Sequence, residues 1–576
     1  MAQSSPRNVS GTGTKQNTYD AIVIGSGISG GWAAKELAEK GLRTLVLERG
    51  RDVKHGEYPT AFTESWEFPG RNKIPTAELA KQEKQNRTGY TTHPASAHWF
   101  VNDQENPYSE EKRFDWMRGY HVGGRSLLWG RQSYRWSDLD FEANARDGVA
   151  VDWPIRYRDL APWYDYAERF AGISGNRDGL TQLPDGQFLP PMEMNCLERQ
   201  VRQRVAESFG GRAMIIGRAA NLTVPHNGRG SCQSRNRCIR GCPYGAYFSS
   251  NAATLPAAYA TGNLTLRPFS IVNQITYDQA TGRASGVRVI DAETSEVIEF
   301  RAKVIFCCAS AIASTFILLN SKSGRFPQGL GNDSGELGHN LMDHHFKVGA
   351  AGLSDDFGDK YYRGQRPNGI YLPRFRNLDK ATAQKNYLRG FGYQGSASRS
   401  DWTRPIKELN YFGSKLKADL IAPGPWRFGI GAWGECLPYH ENKITLNHQL
   451  RDKWGQPTVT FDCGWKENEL SMRKDMKASA VEMLEAVGLK NVTPFDDVVN
   501  SAPGNCIHEM GTARIGQDPK TSVLNAWNQV HAVPNVFVTD GACMASASCV
   551  NPSLTYMALT ARACDHAVSE LKKLNL

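Results

Sequence analysis

The sequence has no apolar run approaching eighteen residues, which excludes a transmembrane helix. Its first nineteen residues, MAQSSPRNVSGTGTKQNTY, lack the apolar stretch of a secretory signal. Residues 1–18 are therefore expected to be a disordered lead-in. The net charge of +9 is spread along the chain and forms no basic stripe, which argues against a nucleic-acid partner. Cysteine is sparse, twelve in 576 residues, and the twelve make no even extracellular framework. Cys307 and Cys308 in KVIFCCASA, and Cys543 and Cys549 near the C-terminus, read as small core residues. What remains is a globular chain of ordinary composition, 40% hydrophobic and 22% charged, too long for one simple core. Two or three packed units are expected.

The segment YDAIVIGSGISGGWAAKELAEKGLRTLVLERG carries the first specific signal. An apolar run from Ala21 to Ile24 reads as a buried parallel strand, a helical stretch follows, and RTLVLE reads as a second strand. Between strand and helix stand Gly25, Gly27 and Gly30, spaced G-x-G-x-x-G. The first glycine permits a tight turn, the second lets backbone approach a pyrophosphate, and the third lets helix pack closely on strand. The phosphates would face the unpaired N–H groups of the helix start. Glu48, at the end of the second strand, can accept hydrogen bonds from a ribose diol, which favours FAD or NAD over NADP.

Later segments separate FAD from NAD. NVFVTDGACMASASCVNPSLTYMALTARACDHAV holds a strand, a turn of small residues and a long helix. The strand fits a return to the N-terminal sheet, with the helix start facing the cofactor. RGYHVGGRSLLWGRQSYR is a second glycine-rich stretch, in which Gly123 and Gly124 allow close backbone approach to a planar ring and Ser126 stands beside them. With Gly25, Gly27, Gly30 and Glu48, these segments resemble the glucose–methanol–choline (GMC) family of FAD-dependent oxidoreductases. So do CASAIASTFILLNS, GELGHNLMDHH, GECLPYHENKITL, HEMGTARIG and DGACMASASCVNPSLT, in order along nearly the whole chain. Within the family, VDWPIRYRDLAPWYDYAERFAGISG and a cysteine-rich loop look most like bacterial FAD-dependent glucose and glucoside 3-dehydrogenase catalytic subunits.

The resemblance implies an α/β fold with a Rossmann-like FAD-binding domain assembled from 19–150, 225–345 and 500–576. A discontinuous substrate-binding domain on an antiparallel sheet would come from 151–224 and 346–499. Independently, the turn residues of 278–300 read as a β-hairpin or meander. Matching the family motifs residue by residue places the catalytic base on His508 and its hydrogen-bonding partner on Asn551. Asn551 cannot take a proton, so the acid–base load falls on His508 alone. Gly123, Gly124, Ser126, Val272, Asp540 and Gly541 would contact the cofactor. In pyranose-oxidase-like members a histidine tethers FAD covalently; Leu128 stands there, so FAD should be non-covalent. His344 and His345 read as packing near the cofactor, and His440 as a candidate substrate contact.

Cys232, Cys238 and Cys242 crowd into the polar loop 231–245. From the residues alone they could be free thiols, a zinc site with His226, or ligands of an iron–sulfur cluster. The resemblance implies a [3Fe-4S] cluster, because related sugar dehydrogenases carry one in a loop ending in Cys-Pro, as at Cys242–Pro243. Those loops open with a cysteine pair, whereas Gln233 follows Cys232 here, which leaves no spare thiol. Arg235, Arg237 and Arg240 would offset an anionic cluster or help dock an acidic electron carrier. The implied function is oxidation of a secondary ring hydroxyl of a sugar or glycoside, at C3 by resemblance. Electrons would pass to a cytochrome through a small partner subunit that also carries the export signal to a bacterial periplasm. The alternatives are an oxygen-using oxidase of the same family and a non-catalytic flavin electron-transfer subunit.

Overall fold

The computed structural model describes residues 17–360, 366–399 and 412–576. Residues 1–16 of the expected lead-in lie outside the described residues, and the first strand opens at Thr18. Five parallel strands form the centre of an eight-stranded sheet. In spatial order they are Val533–Val538, Val297–Cys307, Thr18–Ile24, Thr44–Leu47 and Leu264–Arg267. Ala21–Ile24 and Leu45–Leu47 are fully buried, as continuous apolar runs covered on both faces should be. Helices Ile28–Glu39 and Ser553–Lys572 cover one face, where Ala33, Ala34, Leu37 and Ala38 pack with Ala563, Cys564, Ala567 and Val568. The expected return of the C-terminal strand to this sheet is observed. So is the meander: Ser270–Asp278 and Arg283–Asp291 run antiparallel into Val297–Cys307.

A second, six-stranded sheet is antiparallel throughout. Its order is Lys490–Asp496, Val348–Ser354, Trp426–Gly434, Phe391–Arg399, Ile370–Leu372, Ile215–Ile216. Helices Cys196–Ser208 and Glu467–Ala486 close one face with Leu197, Val201, Val205, Met472, Met476 and Met483. Side chains alternate along a strand. Phe391, Tyr393, Phe428 and Ile430 therefore point at those helices, while Gln394 and Trp433 point the other way, into the main cavity. The hairpin Lys443–Arg451/Pro457–Asp462 joins neither large sheet. It pairs with Ser109–Glu110, and its Ile444, Val459 and Phe461 pack on Phe114, Ile312 and Leu341. Among the described residues, no helix is long and apolar enough to cross a membrane.

Candidate active site

A cavity of about 560 Å³ opens at the carboxyl ends of the parallel strands, lined by Ile24, Leu47, Cys308 and Asp540. Open parallel sheets place ligands there. Eight of the residues expected at the cofactor line it: Gly25, Gly27, Glu48, Gly124, Ser126, Val272, Asp540 and Gly541. A Cβ at Gly27 would meet no atom within 4 Å, so the space beside it is open to a ligand. Gly30 is off the wall and has the expected steric role: its Cβ would lie 2.0 Å from the Gly25 carbonyl oxygen. Gly123 departs from expectation. It is turned from the cavity with φ +86°, and a Cβ would fall 1.6 Å from Asn251 Oδ1. Its N–H donates to Ser26 Oγ at 2.9 Å, and Gly124 makes the approach in its place.

Glu48 accepts from the Ser26 hydroxyl at 2.5 Å and from the Ser26 and Gly50 amides at 3.2 and 2.9 Å. These donors fix the carboxylate on the wall, and each oxygen keeps acceptor capacity for a diol. Burial pushes its pKa up, and the same donors oppose that. Asp540 accepts from Ser314 Oγ at 2.5 Å and from the Ala542 amide at 3.0 Å, and burial raises its pKa to about 6. The long helix at Ser553 begins on the wall, so its N-terminal dipole favours negative charge there. The open backbone at Gly27, the fixed acid at Glu48 and the helix starts fit a dinucleotide of adenine, pyrophosphate and flavin.

His508 and Asn551 line the same cavity, with Asn551 Nδ2 3.4 Å from His508 Nε2. The polar contacts around them fix each donor. His344 Nε2 faces the carbonyls of Ala547 at 3.2 Å and Ser548 at 2.9 Å, so it carries the proton. Burial holds the His344 pKa down to about 4, so the ring is neutral and its Nδ1 is an acceptor. His508 Nδ1, 2.8 Å away, must then donate. That leaves His508 Nε2 with a free lone pair, toward Asn551 and the cavity. At the other end Gln394 Nε2 donates to Asn551 Oδ1 at 2.9 Å, which turns the Asn551 amide nitrogen toward His508. One directional chain, Gln394 to Asn551 to His508 to His344 to backbone carbonyl, leaves His508 Nε2 as the acceptor that faces the cavity.

The loop carrying His508 is held by Asp343. Its carboxylate accepts the amides of His344 at 2.8 Å, Gly504 at 2.8 Å, Cys506 at 3.1 Å and His508 at 3.0 Å. Ile507 has φ +65°, a conformation costly for a β-branched residue, and it also lines the cavity. Beside it, Arg125 donates to both oxygens of Glu509, at 3.0 and 2.9 Å. His344 therefore does more than pack. Sequence reasoning noticed NLMDHH but missed this role, and it missed Asp343, Gln394 and Arg125 altogether. His345 is packing: it is buried with its ring against Trp465. His440 is off the cavity, stacked on His339 at 4.0 Å with its side chain 61% exposed.

The cysteine loop abuts this cavity. Ile239 lines the cavity wall, and Tyr247 Oη donates to the Leu127 carbonyl at 2.7 Å and the Cys238 carbonyl at 3.1 Å. Cys232, Cys238 and Cys242 are half-buried free thiols. The Ser234 amide donates to Cys232 Sγ at 3.4 Å. Ser234 and Asn236, between the first two cysteines, both have positive φ. Among the described residues the three sulfurs do not all lie within 4.8 Å of one another, which is wider than one tetrahedral ion requires. His226, the fourth ligand of the zinc reading, is held on the Arg169 carbonyl at 2.7 Å. Each of the three arginines also makes a local contact. Arg235 donates to the Ala61 carbonyl, Arg237 pairs with Glu64, and Arg240 donates to the Thr63 carbonyl at 2.7 Å. They clamp residues 60–64 over the loop.

With this geometry, the comparisons with known proteins are decisive. The N-terminal GMC oxidoreductase family model matches residues 19–346, and the C-terminal one matches 438–560. The chain belongs to the GMC oxidoreductase family. It has that family's FAD-binding fold and is an alcohol or sugar oxidoreductase acting on CH–OH donors. The 2-methyl-1,2-propanediol dehydrogenase of Mycolicibacterium austroafricanum is 29% identical, covering 96% of each chain. The fructose dehydrogenase large subunit of Gluconobacter japonicus is 26% identical over 96% of this chain and 98% of its own. Among solved structures, pyridoxine 4-oxidase from Mesorbium loti shares the fold with a TM-score of 0.60 at 14% identity, over 95% and 98% of the two chains.

Proposed function

We propose that this GMC oxidoreductase is a dehydrogenase that oxidises a secondary ring hydroxyl of a sugar or glycoside, at C3 by family resemblance. The observation that carries the reading is the directional chain that leaves His508 Nε2 as acceptor beside the Asn551 donor. A substrate hydroxyl placed there donates its hydrogen to His508 Nε2 and accepts from Asn551 Nδ2. His508 then takes the hydroxyl proton, and the imidazolium keeps its Nδ1–H on His344. FAD, when bound, supplies the acceptor for the hydride that leaves the carbinol carbon. Tyr90, Phe346 and Trp433 give the cavity apolar walls around these convergent polar groups, and Phe346 stacks on Trp433 at 5.9 Å. The relative named for fructose supports a sugar substrate.

Electrons would leave by the cysteine loop. Three thiols with an amide directed at one sulfur, on a contorted backbone beside the cavity, suit a thiolate-held [3Fe-4S] cluster at Cys232, Cys238 and Cys242. A small subunit and a cytochrome in the periplasm would receive them. Anaerobically purified protein should contain iron and acid-labile sulfide, and a panel of sugars and glycosides should bleach its flavin. Cys238→Ser should leave bleaching largely intact and abolish reduction of an external cytochrome. Protein with FAD, no iron or sulfide, and rapid peroxide formation would replace the dehydrogenase reading with the oxidase one.

A further inference from the structure

The base does not stand alone in its wall. Among the described residues, His344, Cys506 and His508 each offer one donor atom within 4.8 Å of the other two. His344 Nδ1 is 2.8 Å from His508 Nδ1, and Cys506 Sγ is 3.4 Å from that same nitrogen. Around one tetrahedral zinc ion, with bonds of about 2.0 Å to nitrogen and about 2.3 Å to sulfur, the nitrogens would stand about 3.3 Å apart and each nitrogen about 3.5 Å from sulfur. The two nitrogens would have to part by about half an ångström, the sulfur already stands near that distance from His508 Nδ1, and it lies within 4.8 Å of His344 Nδ1. Proton transfer uses the two histidines and leaves the Cys506 thiol without a task.

Three further features suit a metal. His344 Nε2 already donates to the Ala547 and Ser548 carbonyls, the outer contact that metal-bound histidines make. Cys506 and His508 line the cavity, which gives an ion a way in and an open fourth position. The Asp343 carboxylate holds the amides of both Cys506 and His508, so an anion lies behind the ligands. Two imidazoles and a thiolate select zinc-like ions over magnesium or calcium, which prefer oxygen.

We propose that His344, Cys506 and His508 bind Zn²⁺ reversibly and that binding switches the oxidation off by inverting the His508 tautomer. The ion takes the lone pairs of both Nδ1 atoms and the Cys506 sulfur. The thiol proton goes to solvent, the His508 Nδ1 proton moves to Nε2, and the bond to His344 is lost. Nε2 then presents a hydrogen to the substrate hydroxyl and can accept none.

The test uses the FAD-loaded protein in two arms. Co²⁺ should give tetrahedral d–d absorption at wavelengths beyond the flavin bands, and this absorption should be lost in Cys506→Ala. Zn²⁺ should slow anaerobic flavin reduction and EDTA should restore it. In Cys506→Ala the concentration that halves that variant's own rate should rise by about 100-fold or more, since loss of outer contacts alone costs 10- to 100-fold. Equal sensitivity of both proteins, or cobalt bands that persist in Cys506→Ala, would overturn the site. The silencing rests on His508 being the base, whereas the cobalt spectrum does not. Cys506-dependent cobalt bands with undiminished flavin reduction would overturn the silencing and the role of His508 together, and leave the metal site standing.

Discussion

Replacing His344 by leucine tests the logic of the site most sharply. The substitution keeps a side chain of similar bulk in a buried position and deletes the acceptor 2.8 Å from His508 Nδ1. When His508 takes the hydroxyl proton it becomes an imidazolium, and its Nδ1–H bond becomes charge-assisted. Such bonds contribute about 1.5–3 kcal/mol, which at about 1.4 kcal/mol per tenfold is roughly 10- to 150-fold in rate. The loss falls on the step that forms charge, so flavin reduction should slow by that factor while FAD stays bound. His344→Gln is the companion. Its amide oxygen can accept from His508 Nδ1–H while its NH₂ donates to the Ala547 and Ser548 carbonyls, so the direction of the chain survives. Anaerobic stopped-flow bleaching of the flavin at saturating sugar reads both. Wild-type speed in His344→Leu, or equal damage in the leucine and glutamine variants with FAD in place, would refute the relay.

His508→Ala should bind FAD and lose roughly 10²- to 10⁴-fold in flavin reduction, the range for a positioned base. Asn551→Ala should lose less, because Asn551 orients and transfers no proton; unchanged bleaching in His508→Ala would remove His508 from the mechanism. Burial first, then neighbouring His344 and Arg125, hold the His508 pKa well below the ordinary imidazole value. The reactive form is the unprotonated one, so kcat/KM for flavin reduction should be level through neutral pH and fall only in acid, with its midpoint below 6.5. The same depression, shared by His344, ties stability to pH: it is present above the unfolded imidazole pKa and lost as pH falls through the folded values. A rate midpoint above 6.5 would contradict the burial argument. Acid denaturation should release all the FAD into the supernatant, because Leu128 has no atom to tether it; yellow precipitate would show otherwise.

The parts legible in the sequence are those with local signatures. A strand, G-x-G-x-x-G and a helix occupy consecutive residues, so 19–50 could be read as it folds. The meander of 270–307 and the return of 533–538 carry alternation and turn signals of the same kind. Gly123 misled because its neighbours do the work: both glycines permit positive φ, and only the position of Asn251 decides which one faces outward. The arginines of the cysteine loop were only half legible for a similar reason. Their charge is plain in the sequence, but their partners lie about 175 residues away, in the 60–64 segment. His344 was visible as a residue and invisible as a function, since its role rests on two carbonyls near residue 547 and a ring at 508.

The same distance in sequence explains why the site needs a buried carboxylate that no motif reading assigns. Ile507 with φ +65° costs about 1–3 kcal/mol, and the local bond from its amide to the Gly504 carbonyl at 3.0 Å offsets only part of it. Asp343 comes from a loop some 160 residues earlier and meets four amides, three of them in the strained turn. Each such bond to a charged acceptor contributes about 1.5–3 kcal/mol, so three together exceed the strain. All four partners are donors, which favours the ionised acid, because a protonated or amidated one would direct a hydrogen at an N–H. Burial and the nearby Glu509 nevertheless push Asp343 up to about 7, against those amides. The strained backbone directs the His508 ring into the cavity, the carboxylate holds that backbone, and His344, the residue next to the carboxylate in the chain, sets the tautomer. One dipeptide, Asp343–His344, thus fixes both the position and the tautomer of His508.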